Sequence, residues 1–276
     1  MRPGHGRAHA AVGILNATAT GIGCALAVSG GVEADWSWTD APGLRFTGPS
    51  DDRVAQAVLE QAQRDLGLRA GAIASTTATF PPSRGLKTSS GAAAALLLAA
   101  HDAAGSRLSP AEVVPFAIAA CQAAGATLTG AYDDQVATVR GGCHVTDNRA
   151  RQVLRKVPVA PLHVAVWVPA ASIAKSSVVR IDAAAIAGHL AAPAQAAHAG
   201  DIAQALTQSG AAFAHLYARH GLPISHEPAA VALEHGALGA GLSGTGPAVA
   251  ALFEKPVALP PVAGGTWSWH RALEAP

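Results

Sequence analysis

PPSRGLKTSSG, residues 81–91, runs directly into the apolar stretch AAAALLL at 92–98. A loop rich in Gly, Ser and Thr, carrying Arg84 and Lys87, therefore opens a helix that must be buried on nearly every side. Free N–H groups at a helix N-terminus and a flexible glycine, Gly85, suit this junction to bind phosphate. From this stretch alone an ordinary capped helix is the alternative, because Ser and Thr are common N-cap residues.

The Lys87-Thr88 pair invites comparison with the Walker phosphate-binding loop, which requires a glycine directly before the lysine. Leu86 occupies that position. The Walker interpretation is therefore excluded, and a different loop-to-helix junction has to explain the pattern.

Composition narrows the class of protein. The chain has 276 residues, of which 50% are hydrophobic and 13% charged, enough to bury a large core in one or two lobes. Its net charge is +1, from 19 basic and 18 acidic residues, with no run of Lys and Arg. We therefore expect no nucleic-acid or membrane partner, whereas a small anionic ligand remains compatible.

Three cysteines, Cys24, Cys121 and Cys143, lie in apolar surroundings without metal-ligand spacing. This pattern indicates buried free thiols in a reducing compartment, and the cytoplasm is the expected location. Polar residues interrupt the apolar stretch 10–32, so we expect no secretory signal, and the apolar run 92–100 is too short to span a bilayer.

Strand and helix patterns alternate along the chain. Strands are predicted at 12–15, 72–79, 163–168 and 248–253. Helices are predicted at 53–66, after the loop at 81–91, and over 109–124, 181–190, 194–209, 211–220 and 229–235. Pro158 and Pro161 place a boundary near 157–161. The sequence thus predicts an α+β protein with an N-terminal lobe, 1–157, and a C-terminal lobe, 158–276.

Three stretches in order resemble motifs of the GHMP kinases, the family of galactokinase, homoserine kinase and mevalonate kinase. The first is PxxxGLxxSS at 81–90, which resembles the phosphate-binding motif. The resemblance implies the two-lobed GHMP kinase fold and a loop that wraps the phosphates of ATP. The implied nucleotide-binding residues are Pro82, Ser83, Arg84, Gly85, Leu86, Lys87, Thr88, Ser89, Ser90 and Gly91.

The second stretch, TGAYDDQVATVRGG at 129–142, resembles the segment that carries the catalytic aspartate seven residues before a Gly-Gly pair. Asp134 has that spacing, and the resemblance implies that it orients and deprotonates the attacking hydroxyl; Asp133 is the alternative base. The third stretch, GLSGTGP at 241–247, is similar to the C-terminal glycine-rich loop. It implies substrate contacts by Ser243, Gly244, Thr245 and Gly246.

The particular residues of these motifs, together with VTDN at 145–148 and ILNATATG at 14–21, resemble those of the archaeal-type shikimate kinases. The resemblance spans roughly 10–253. This resemblance implies that shikimate and ATP are converted, with Mg²⁺, to shikimate 3-phosphate and ADP on the route to chorismate and the aromatic amino acids. A GHMP kinase for another small alcohol, such as homoserine or mevalonate, is one alternative. A metabolite-binding regulator on the same fold, without turnover, is the other.

An acceptor with several hydroxyls requires short polar side chains in a small pocket. The candidates for substrate binding are Asn16, Thr18, Thr20, Asp133, Arg140, Thr146, Asp147 and Asn148. Turn chemistry and strand pairing are the alternative roles for these polar residues. A substrate carboxylate favours an arginine, and the sequence leaves Arg84, Arg140 and Arg149 open.

Two departures from the family pattern concern the metal and the chain end. Family members commonly carry a Glu about ten residues before the catalytic aspartate as a metal ligand, but 122–128, QAAGATL, contains no acid. Mg²⁺ binding is therefore assigned to Ser89, with Asp133 or water as further ligands. The segment 255–270 does not resemble the closing helix and strand of the family.

Overall fold

The computed structural model describes residues 2–127, 130–159 and 161–275. Its N-terminal part is built on a six-stranded sheet in the order β3-β4-β2-β5-β6, with β1 paired to β2. The strands are β1 (Gly4–Leu15), β2 (Ile22–Thr39), β3 (Leu44–Thr47), β4 (Gly71–Ala78), β5 (Cys143–Asp147) and β6 (Gln152–Val157). The pairs are antiparallel except for β3 with β4.

Four helices accompany this sheet: α1 (Asp52–Leu66), α2 (Thr88–Ala103), α3 (Pro110–Ala123) and α4 (Tyr132–Arg140). Helix α2 is the central one, because it packs against β1, β2, α1, α3 and α4. Burial on all sides accounts for its Ala- and Leu-rich sequence. Small residues also let backbones approach closely: the α carbons of Gly4 and Gly6 on β1 face the α2 backbone.

The C-terminal part has a four-stranded antiparallel sheet in the order β10-β7-β9-β8. Its strands are β7 (His163–Pro169), β8 (Gly239–Leu242), β9 (Val249–Phe253) and β10 (Gly265–Arg271). The helices are α5 (Lys175–Val179), a 3-10 helix (Ala183–Leu190), α6 (Ala191–Ala199), α7 (Ile202–Arg219) and α8 (Glu227–Glu234).

One hydrophobic cluster joins the two parts. It contains Val12, Ile14 and Leu26 from the first sheet together with Val164 and Leu206 from the C-terminal part. The first sheet ends at 157 and the second begins at 163. The division of the chain into lobes 1–157 and 158–276 stays a prediction, because the core continues across it.

The predicted strands correspond to β1, β4, β7 and β9, although β1 begins eight residues before the predicted start at 12. Most predicted helices are present, and the one predicted at 181–190 is the 3-10 helix Ala183–Leu190. One helix boundary was wrong. A break was predicted at 210, but α7 runs through Gly210, and the break lies at Gly200-Asp201 instead. Gly200 ends α6 in a left-handed conformation, and the Asp201 carboxylate accepts a hydrogen bond from Gln204 N to cap α7.

Strands β2, β3, β5, β6 and β8 were not predicted, and neither was β10 near the end of the chain. Its aromatic residues pack on the outer side of the second sheet, where Trp269 makes an edge contact with Phe253 at 5.1 Å between ring centroids. The chain then returns to the first sheet, because Leu273 N donates to Ala27 O. The short, aromatic C-terminal segment therefore contacts both parts of the molecule.

Every helix in the described part of the chain is too short or too polar to cross a bilayer.

We expect Gly6→Ala to destabilise the protein strongly. A Cβ at position 6 would lie 2.0 Å from the carbonyl oxygen of Ala95 on α2, so the strand and helix would have to separate. Overpacking of this kind costs about 1 to 3 kcal/mol or more in the free energy of unfolding. Gly188→Ala is the control, because nothing lies within 4 Å of its Cβ position. Equal urea midpoints for the two variants would contradict this account of α2 packing.

Candidate active site

A cleft of about 870 Å³, including solvent at its mouth, opens at the N-terminus of α2. All three sequence motifs contribute to it. The predicted site residues that line it are Asn16, Thr18, Ser83, Gly85, Leu86, Lys87, Thr88, Ser89, Ser90, Asp133, Asp134, Gly244, Thr245 and Gly246. Residue Thr129, at the start of the second motif, lies outside the described residues.

The loop before α2 is shaped to present free backbone donors. Lys87 is the N-cap residue, in a left-handed conformation with φ 60°, and its side chain does not cap the helix. The first N–H groups of α2 are therefore left for a ligand, next to the positive end of the helix dipole. Gly85 has φ 80°, and a Cβ there would lie 2.2 Å from the Ser243 carbonyl oxygen. Glycine thus lets the two loops touch.

The Lys87 side chain points instead to the second motif. Its Nζ forms an ion pair with Asp134 Oδ1 at 2.7 Å, and the two side chains are only 9% and 16% exposed. Burial lowers the pKa of Lys87, but the negative charges of Asp134 and Asp133 outweigh burial and raise it above its ordinary value. The lysine is therefore a stable cation beside both carboxyl groups.

Two glycines make room for the Lys87 ammonium group. A Cβ on Gly244 would lie 2.6 Å from Lys87 Nζ, and a Cβ on Gly13 would lie 3.2 Å from it. Gly13 belongs to β1 and Gly244 to the third motif. The ammonium group is thus the point at which the loop before α2, the segment of Asp134 and the glycine-rich loop at 241–247 meet.

Asp133 is buried deeper than Asp134 and is held by side chains of the VTDN segment. Asn148 Nδ2 donates to Asp133 Oδ1 at 2.7 Å, and Asn148 Oδ1 accepts from the Asp133 N–H at 3.1 Å and from the Thr146 hydroxyl at 2.8 Å. Burial, together with the charge of Asp134, raises the pKa of Asp133 to about 6. Thr146 and Asn148 act here as supports for Asp133.

The opposite wall is the turn after β1. Asn16 Nδ2 donates to Gly244 O at 2.9 Å, and the Thr18 hydroxyl donates to Asn16 Oδ1 at 2.6 Å. Ser209 on α7, which the sequence did not single out, accepts from Asn16 N at 3.2 Å. Ile173 and Val178 add an apolar wall. Neither lies in a recognisable motif, so the sequence carried no signal for them.

The remaining predicted residues lie outside the cleft. Ser243 is a buried link, because its hydroxyl donates to Gly85 O at 2.8 Å and accepts from Gly13 N at 2.9 Å. Arg84 bonds to backbone carbonyls that include that of Pro82. Gly91 lies inside α2 against Val32.

Turn chemistry explains two more of these residues, as the alternative reading of the sequence allowed. Thr20 Oγ1 accepts from Ile22 N at 3.2 Å, and Asp147 Oδ1 accepts from the N–H groups of Arg149 and Ala150, both at 2.9 Å. Arg140 lies in the last turn of α4, at the opposite end from Asp134.

Comparisons with known proteins agree with this geometry. The GHMP kinases N terminal domain matches residues 53–142 and the GHMP kinases C terminal domain matches residues 229–263. A protein named shikimate kinase from Pyrococcus furiosus is 32% identical over 261 residues, covering 92% of each chain. One from Thermococcus kodakarensis is 34% identical, covering 91% of this chain and 93% of its own. One from Halobacterium salinarum is 35% identical, covering 91% and 89%.

The chain belongs to the archaeal shikimate kinase branch of the GHMP kinases. The predicted family and fold are thereby confirmed. Solved GHMP kinases share the fold: homoserine kinase from Cytophaga hutchinsonii has a TM-score of 0.70 at 22% identity, covering 92% of this chain and 85% of its own. Mevalonate kinase from L. major, in complex with R-mevalonate, has a TM-score of 0.71 at 15% identity, covering 100% and 96%.

The donor set of this GHMP kinase fits Mg²⁺ that arrives with a nucleotide. No group of three or more His, Cys, Asp or Glu side chains in the described part of the chain could hold a metal. Mg²⁺ usually keeps several waters and takes only one or two protein ligands besides substrate phosphates. The hydroxyl of Ser89, in the first turn of α2, meets that modest requirement.

The raised pKa of Asp133 leads to a pH prediction. Because its folded-state pKa of about 6 exceeds the unfolded value of 3.8, the folded state retains the proton more strongly. This contribution to stability is present below about pH 4 and is lost as the pH rises through 6. We therefore expect the wild type to lose roughly 1 to 3 kcal/mol of stability relative to Asp133→Asn between pH 4 and pH 7.

Urea unfolding of both proteins across this range is the measurement. Asp40→Asn, at an exposed position, is the control for the loss of a carboxylate. A stability difference between wild type and Asp133→Asn that does not change with pH would show that folding does not raise the pKa of Asp133.

Proposed function

We propose that this GHMP kinase transfers the γ-phosphoryl group of ATP to a hydroxyl of shikimate, giving shikimate 3-phosphate and ADP. The observation that carries the proposal is the ion pair of Lys87 with Asp134 at the uncapped N-terminus of α2. It brings a cation, a carboxylate and free backbone donors into one cleft. The curated relatives named shikimate kinase support the choice of acceptor.

The phosphates of ATP are assigned to the loop 82–91. Backbone N–H groups at the start of α2 and the hydroxyls of Ser89 and Ser90 are the donors on this wall. Phosphoryl transfer passes through a loose transition state, so the protein mainly positions the reactants and balances charge. Mg²⁺, held by Ser89 and the phosphates, would neutralise part of the negative charge on the phosphate oxygens.

Asp134 is assigned to the acceptor hydroxyl. Its carboxylate orients the hydroxyl and accepts its proton as the new O–P bond forms. Lys87, 2.7 Å from Asp134 Oδ1, holds that carboxylate in place and lies where it also offsets charge on the transferring group. Asp133, with one oxygen held by Asn148, is assigned to bind the acceptor near Asp134.

The part of the cleft assigned to the acceptor is lined by polar residues. This favours a ring with several hydroxyls over an aliphatic chain. Asn16, Thr18 and Asp133 contribute short donors and acceptors, and Gly244 to Gly246 contribute backbone groups. A pocket that hydrogen-bonds hydroxyls discriminates strongly against analogues that lack them, because its polar groups are left unpaired. We assign the protein to the cytoplasm, since Cys24, Cys121 and Cys143 are buried free thiols.

Two other functions are alternatives to this proposal. A kinase for homoserine or mevalonate would use the same phosphate loop and the same Asp134. A non-catalytic regulator would bind nucleotide or metabolite without turnover. The intact Lys87–Asp134 pair favours an active kinase over the regulator.

Purified wild-type protein with ATP and Mg²⁺ should convert shikimate to shikimate 3-phosphate, identified by mass and NMR, and leave homoserine and mevalonate largely unused. Asp134→Asn should lower kcat by about 10² to 10⁴, because it removes the proton acceptor while preserving shape. ATP affinity, measured by calorimetry, should be nearly unchanged.

Asp133→Asn is the matched variant for the neighbouring carboxyl. If it abolishes turnover while Asp134→Asn remains active, the base has been assigned to the wrong residue. Phosphorylation of homoserine or mevalonate with none of shikimate would contradict the proposed acceptor, and no product from any acceptor would favour the regulator.

A further inference from the structure

Shikimate carries a carboxylate, and three arginines were candidates to bind it. Arg84 is already engaged: Nε donates to Pro169 O at 2.9 Å, Nη2 to Ala170 O at 2.7 Å and Nη1 to Pro82 O at 3.2 Å. These bonds fasten the phosphate loop to the C-terminal part of the molecule. Arg84 therefore has a structural task away from the acceptor.

Arg140 lies at the wrong end of its helix. It follows Asp134 by six residues, which corresponds to about 9 Å along the axis of α4. It lies close enough to His144 that its charge, after burial, contributes to the lowered pKa of that ring. Its surroundings are thus the C-terminal end of α4.

Arg149 is an exposed residue beside Gly21, in the turn after β1 whose residues Asn16 and Thr18 line the cleft. Its Nε is 2.8 Å from the position that a Cβ on Gly21 would occupy, and its Cγ and Cδ are 3.1 Å from that position. Position 21 therefore has no space for a side chain, and it also has φ 86°. The Arg149 guanidinium makes no hydrogen bond or ion pair with the part of the chain that the structure describes.

Gly23, two residues further on, has the same relation to Asp133. A Cβ on Gly23 would lie 2.7 Å from Asp133 Oδ2. The two glycines of the TGIGC segment at 20–24 thus leave room for two polar side chains, Arg149 at Gly21 and Asp133 at Gly23.

The backbone fixes this arrangement. Asn148, whose side chain holds Asp133, also donates its backbone N–H to Gly21 O at 2.8 Å. The next residue is Arg149, whose own N–H is held by Asp147 Oδ1 at 2.9 Å. One turn therefore positions both an acid in the cleft and a cation beside it.

We propose that Arg149 binds the carboxylate of the acceptor, an inference that rests on the proposed function. A guanidinium binds a carboxylate through two parallel hydrogen bonds. The six-membered ring of shikimate would then lie with its carboxylate toward Arg149 and its hydroxyls toward the aspartates. Arg149 would then fix which hydroxyl faces Asp134.

The test compares Arg149→Gln with Arg151→Gln. The control makes the same charge change two residues away, at an exposed side chain. Arg149→Gln should raise KM for shikimate about 10- to 100-fold, the loss expected for a charge-assisted pair, and leave KM for ATP unchanged. Arg149→Lys, which keeps the charge without the fork, should have an intermediate KM. Arg151→Gln should match the wild type.

Shikimate methyl ester makes the assignment specific. The wild type should prefer shikimate over the ester, and Arg149→Gln should lose most of that preference because the partner of the carboxylate is gone. If the wild type phosphorylates shikimate but Arg149→Gln retains the preference, or Arg140→Gln loses it instead, the inference is overturned while the proposed function stands.

The remaining outcomes separate the two claims. If the wild type phosphorylates homoserine or mevalonate and not shikimate, the proposed function fails, and the same variants with that acid and its amide decide the role of Arg149. Turnover only of acceptors that lack a carboxylate, or no turnover at all, would overturn both claims.

Discussion

The ion pair between Lys87 and Asp134 is the contact on which the site depends. Each charge is largely removed from water, and a buried charge is tolerated only with a partner. The partners come from the start of α2 and the start of α4, which are far apart in the chain. Once they meet, the position of the phosphate loop fixes the position of the proposed base. Under the proposed function, the distance between nucleotide and acceptor therefore follows from this one contact.

Small residues leave the space that the Lys87–Asp134 contact requires. Gly13 and Gly244 leave the volume that the Lys87 ammonium occupies, and Gly85 lets its loop lie against Ser243. The alanines of α2 similarly let the helix pack closely on the first sheet. A site assembled from three distant loops needs close backbone approach, and the many Gly and Ala residues of this sequence provide it.

The sequence predicted those features that short-range patterns encode: the two-part α+β fold, the loop before a buried helix, and the family of the three motifs. It did not predict that Lys87 pairs with Asp134, because no local pattern links residues 47 positions apart. It assigned Thr146 and Asn148 to the substrate, which stays a prediction, but it did not show that Asn148 bonds to Asp133 and Thr146 to Asn148. Strand β10 was missed because its pairing with β7 is a long-range contact.

A double-mutant cycle of Lys87→Met and Asp134→Asn tests the central contact most directly, with the free energy of unfolding from urea titrations as the readout. Lys87→Met alone leaves a buried carboxylate unpaired, so it should cost about 3 to 5 kcal/mol. Adding Asp134→Asn removes that unpaired charge, so the double variant should be more stable than the sum of the single losses predicts, by about 2 kcal/mol or more. Losses that simply add would show that the two side chains do not interact and would contradict this account of the site.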